Sequence, residues 1–64
     1  MREMKYGELK RRLRGIGCYV IRMGKRHEIW FSPITNESFP VGRHKEEEVA
    51  TGTLKSIKEA SGLK

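Results

Sequence analysis

The sequence predicts an α+β fold of two layers, helix–strand–strand–strand–helix, with a three-stranded antiparallel sheet and both helices on one face. Three observations predict it. Apolar residues recur with helical spacing towards both ends of the chain. Between them lie three short runs rich in β-branched and aromatic residues, punctuated by Gly, Pro and Asn. The connections between those runs are too short for parallel crossovers, so neighbouring strands pair antiparallel. The 64 residues are read as one domain, 1–64. A domain of this size buries only about 60% of its unfolded surface, so its stability is expected to be marginal.

Tyr6, Leu9, Leu13 and Ile16 fall at i, i+3, i+7 and i+10, one stripe of an amphipathic helix. Lys5, Lys10, Arg11, Arg12 and Arg14 are read onto its other faces. Gly15 or Gly17 can supply the left-handed residue that ends it. Cys18 to Met23 is short, β-branched and aromatic, and reads as the first strand. Gly24-Lys25-Arg26 makes a tight basic connection. His27 to Ser32 is the second strand, with His27, Ile29 and Phe31 on one face and Glu28, Trp30 and Ser32 on the other. Pro33 closes it, and Thr35-Asn36-Glu37 is turn-like. Ser38 to Val41 is the third strand, where Pro40 fits only at a position that needs no ladder N–H. Gly42 to Ala50 is a polar, Glu-rich connection. Thr51 to Ala60 reads as the second helix, with Thr51 as N-cap, Leu54, Ile57 and Ala60 as its inward stripe, and Gly62-Leu63 closing it.

Charge is unevenly placed. Residues 1–26 hold nine Lys/Arg against two Glu, whereas residues 27–64 hold five against six. The whole chain is +6, and the positive field belongs to its N-terminal part. Such a field attracts a polyanion: nucleic acid, an acidic protein or an anionic surface. A solvated basic helix face with no special partner is the bland alternative. No stretch approaches the roughly 18 uninterrupted apolar residues of a membrane span, and no apolar region follows the basic N-terminus as in a secretory signal. One cysteine excludes an internal disulfide framework and a Cys-rich zinc site, and suits a reducing cytoplasm.

Few residues can carry chemistry. His27 follows a basic turn, and imidazole is the side chain whose ordinary pKa, about 6.5, allows proton transfer near neutrality. Neighbouring cations can hold a phosphate and the charge that builds on it. An isolated histidine is nonetheless more often structural or solvated. His44 lies in the polar Arg43-His44-Lys45 stretch, where it reads as a solvated loop residue, with a proton donor or phosphate contact as the alternative, and nothing in the sequence fixes its distance from His27. Two histidines and one cysteine far apart make a weak metal signal. Cys18 has no partners for a nucleophilic triad and reads as a small core residue. Trp30 and Tyr19 suit base stacking or sheet packing equally well. Glu46-Glu47-Glu48 reads as a solvated loop, and Gly24 lacks the spacing of a phosphate-binding P-loop.

Taken together, these segments resemble the HicA toxins of type II toxin–antitoxin modules, from about Lys5 to Leu63. Arg22 to Trp30 is similar to the family's glycine-containing turn before a histidine and an apolar pair. Phe39-Pro40-Val41-Gly42-Arg43-His44 resembles its V-P-x-H stretch. Thr51 to Leu63 resembles the closing G-T-L-x-x-I-x-x-x-A-G-L helix, the most specific match. The chain departs from the common Gly-Ser-His in carrying Lys25-Arg26-His27, with glycine at position 24, and Ser61 is one residue more than the usual Ala-Gly-Leu ending.

The resemblance implies a double-stranded-RNA-binding-domain-like fold and a metal-independent, cofactor-free mRNA interferase acting in the cytoplasm. It also implies a HicB-type antitoxin partner and no membrane association. His27 falls on the family's catalytic histidine. Lys25, Arg26 and Arg22 are expected at the scissile phosphate, and Lys10, Arg11, Arg12 and Arg14 as sequence-independent RNA contacts. A non-catalytic RNA-binding module and a basic protein-interaction domain are the alternatives from other classes.

Overall fold

The computed structural model describes residues 4–64. Arg2 and Glu3, counted above in the N-terminal charge, lie outside the described residues. The order is α1 (Tyr6–Gly15), β1 (Tyr19–Met23), β2 (His27–Ser32), β3 (Glu37–Gly42) and α2 (Thr51–Ser61). The sheet runs β1-β2-β3 with both pairs antiparallel. The expected α+β architecture is therefore present.

Gly17, not Gly15, ends the first helix. Its φ is +96°, its N–H donates to the Arg14 carbonyl, and the Cys18 N–H donates to that of Leu13. These two bonds form a Schellman closure, and both Leu13 and Cys18 are buried beneath it. At the far end Gly62 takes φ +82°, as expected, and Leu63 packs back against the core.

Thr51 does not cap α2. Ala50 occupies the N-cap and Thr51 is the first helical residue, with no side-chain cap on the backbone.

The alternation of β2 decides which sheet face is covered. Glu28, Trp30 and Ser32 turn inward, where Trp30 and Ser32 are fully buried. Leu9 and Leu13 of α1 and Ile57 of α2 join Trp30, Phe39 and Val41 in one core cluster, so both helices lie on this face. Trp30 is thus a packing residue and not a stacking platform. The Arg14 guanidinium sits 5.2 Å from its ring centroid. The opposite face presents Tyr19, 52% exposed, with its ring 5.8 Å from that of Phe31. A bulge between Val20 and Arg22 shifts the register of β1 and leaves Arg22 opposite Ile29.

The Glu-rich connection is exposed, as expected, but it is not merely solvated. Tyr6 N–H donates to the Glu47 carbonyl at 3.0 Å and Gly7 N–H to that of Lys45 at 2.9 Å. α1 has no side-chain cap, so these carbonyls satisfy donors that its first turn cannot. Met4 and Val49 add a further backbone bond, and Val49 is buried in the core.

Ser61, the extra residue of the closing helix, is fully buried. Its carbonyl accepts from the Ser32 hydroxyl at 2.6 Å, while the Thr35 hydroxyl donates to the Ala60 carbonyl. The end of α2 is thereby tied to the β2–β3 turn.

Candidate active site

The β1–β2 hairpin places Lys25, Arg26 and His27 at one end of the sheet, and all three are exposed. Gly24 makes the turn possible. Its N–H donates to the His27 carbonyl at 2.8 Å, and a Cβ at position 24 would stand only 2.8 Å from that same oxygen. Glycine is needed here for close backbone approach, not for an unusual φ.

Register brings the second histidine to the first. His27 pairs with Gly42, and Arg43 and His44 follow directly as the chain leaves β3. An open cleft of about 770 Å³ results, lined by Lys25, Arg26, His27, Arg43, His44 and Glu47. Three permanent or near-permanent cations and one carboxylate surround two imidazoles, so the cleft suits a phosphate. The distance between the histidines was illegible in the sequence because it depends on the β2–β3 register.

Arg43 was not among the residues singled out, yet it holds the cleft together. Its guanidinium donates to the Lys25 carbonyl at 2.9 Å and more weakly to that of Gly24 at 3.4 Å. Its own carbonyl accepts from Lys10 Nζ at 3.1 Å. A chain of bonds therefore runs from α1 through Arg43 to the turn that carries His27.

Lys10 requires a correction. It was expected on the outward, RNA-facing side of α1, but it is only 7% exposed. It lies four residues after Tyr6 and three before Leu13, within the inward stripe. Its ammonium is 3.2 Å from Glu28 Oε1, which also accepts from Trp30 Nε1 at 2.9 Å. It supports the cleft from beneath and offers no charge to a ligand outside.

Among the described residues, the other expected RNA contacts do not line the cleft. Arg22 is exposed on the strand face away from the helices. Arg11 and Arg14 are exposed on α1, Arg14 lying over Trp30, while Arg12 is paired with Glu8 at 2.8 Å.

Tyr6 stands beside the site. Its ring occupies the space a Cβ on Gly42 would need, 2.8 Å away. Burial, and then the negative charge of Glu47, push its phenol above the ordinary tyrosine value. Cys18 is buried, as expected of a core residue. Among the described residues no three His, Cys, Asp or Glu side chains gather as a metal-binding group, and no helix is long and apolar enough to cross a membrane.

A family model described as HicA toxin of bacterial toxin-antitoxin matches residues 6–63. No curated protein matches the chain. No solved structure matches it.

Proposed function

The chain belongs to the HicA toxin family of bacterial toxin–antitoxin systems, and from that premise we propose that it is a ribosome-independent mRNA interferase, cutting RNA through His27 and neutralised in the cytoplasm by a HicB-type antitoxin. The family carries a toxin role and an antitoxin partner. The cleavage chemistry is the reading that the cleft supports best.

One observation carries it. His27 is exposed in an open cleft with Lys25, Arg26 and Arg43, so an imidazole and three cations are available to one phosphodiester. His27 acts as general base on a ribose 2′-hydroxyl, whose oxygen attacks the adjacent phosphorus. Lys25 and Arg26 hold the phosphate and the negative charge that grows on it. The nucleophile belongs to the substrate, so the mechanism calls for no metal-activated water. Arg11, Arg14 and Arg22 add attraction without sequence preference, a contribution that weakens steeply with salt.

The test uses purified protein on a defined mRNA in chelator-containing buffer, together with induction in cells scored by growth and RNA integrity. General base catalysis contributes about 10²–10⁴-fold, so His27→Ala is expected to lose at least 100-fold in cleavage and to relieve growth arrest while remaining folded. Wild-type cleavage and arrest in that variant would overturn the assignment. RNA binding without cleavage by the wild type would identify a binding module instead.

A further inference from the structure

We propose that His44 is the general acid of this site, delivering a proton to the departing 5′-oxygen while His27 removes the one on the 2′-hydroxyl. The inference rests on the ribonuclease reading above and adds a second catalytic residue to it.

The chemistry demands such a group. As the 2′-oxygen bonds to phosphorus, the P–O5′ bond breaks. An alkoxide is a poor leaving group, so a proton must reach O5′ as it departs. The products are a 2′,3′-cyclic phosphate and a 5′-hydroxyl, and both imidazoles then exchange protons with water to reset.

The cleft offers few donors. Arg26 and Arg43 are guanidinium groups and do not give up a proton in proteins. Lysine is, as a side-chain class, a weak acid. Glu47, as a carboxylate, accepts. His44 is the remaining side chain whose class both gains and loses a proton near neutrality.

Placement supports the same assignment. The residues on either side of His44 are anchored independently. Arg43 bonds through its side chain to the Lys25 carbonyl and through its own carbonyl to Lys10. The His44 carbonyl accepts from the Glu47 N–H at 3.0 Å, and the Glu47 carbonyl accepts from Tyr6. The same bonds that complete the first turn of α1 thus fix the backbone that carries His44, and an acid must be held close to its target atom. His27 opens β2, and His44 follows two residues after the end of β3, the strand paired with β2, so a phosphate in the cleft meets an imidazole from each side.

A change of leaving group isolates the acid. Wild type, His27→Ala, His44→Ala and His44→Gln are compared on an RNA oligonucleotide and on its analogue with sulfur at one bridging 5′ position. A thiolate departs without protonation. Both His44 variants are expected to lose at least 100-fold on the oxygen substrate and less than tenfold on the sulfur one, with Trp30 emission unchanged. His27→Ala should lose heavily on both. Equal losses of the His44 variants on both substrates, or no loss on either, would overturn the role of acid and leave the ribonuclease reading standing. Failure of the wild type to cut either substrate would remove the ribonuclease reading, and this inference with it.

Discussion

Replacing Lys10 by methionine probes the buried ion pair beneath the cleft. Nζ is 3.2 Å from Glu28 Oε1, and the two side chains are 9% and 15% exposed. At an effective dielectric of about 20, the attraction across that separation is about 5 kcal/mol. Withdrawing both ions from water costs several kcal/mol each, so the intact pair is roughly neutral against an apolar pair of equal volume. Removing one member is different. Glu28 would keep its charge with only the Trp30 N–H at 2.9 Å to satisfy it. Stranding a buried charge costs about 3–5 kcal/mol, and the partial exposure of Glu28 lowers the expectation to about 2–4 kcal/mol. The double change Lys10→Met with Glu28→Gln should recover most of this, because an amide leaves no charge behind and its oxygen still accepts from Trp30.

The assay is urea unfolding, followed by the emission of Trp30, the sole and fully buried tryptophan, with far-UV circular dichroism as a second probe. A core this small rarely supplies more than about 3–5 kcal/mol, so the single variant should unfold in little or no urea. A loss below about 0.5 kcal/mol for Lys10→Met, or a double variant no more stable than the single, would refute the reasoning.

Other expectations follow from individual contacts. Gly24→Ala would press a Cβ against the His27 carbonyl and should cost about 1–3 kcal/mol. Gly52→Ala, with open space around it, should cost nothing and gain up to about 1 kcal/mol; urea midpoints of the two variants provide the check. Arg43→Ala removes exposed hydrogen bonds and should lower global stability by only about 0.5–1.5 kcal/mol. It should nevertheless speed hydrogen exchange at the Gly24 N–H well beyond that at β3. Folding raises the affinity of the Tyr6 phenol for its proton, so the folded state holds that proton longer than the unfolded chain as pH rises. The contribution of Tyr6 is thus complete below about pH 10 and lost progressively above it. Tyr6→Phe should flatten that part of the alkaline stability curve, as measured by urea midpoints between pH 8 and pH 11.

Much of the architecture was legible because local signals agreed with it. β2 spans His27–Ser32 as its alternation indicates, and Gly62 ends α2 in the left-handed conformation that a residue without Cβ adopts freely. The misreadings share a cause. Lys10 is a charged residue on an inward stripe, and partners distant in sequence, Glu28 18 positions away and the Arg43 carbonyl, make that tolerable. Thr51 has the chemistry of an N-cap, but it is the first helical residue of α2, and Ala50 occupies the cap position before it. Val49, lost in a run of glutamates, is an anchor because backbone bonds to Met4 and Tyr6 pull its loop inward. Arg43 and His44 gained their places from strand register, which the spacing of β3 alone did not determine. In the site, the basic turn before His27 was visible in the sequence, and the wall opposite it was not.

The carbonyls of Lys45 and Glu47 that finish the first turn of α1 impose an order on synthesis. A ten-residue helix is marginal by itself, and its closing partners are translated some forty residues later. A nascent chain stalled before Lys45 has neither a completed α1 nor the second wall of the cleft. Emergence of the whole β3 segment and its loop from the ribosome therefore precedes assembly of the cleft, and fragments released early lack the arrangement on which the proposed cleavage depends.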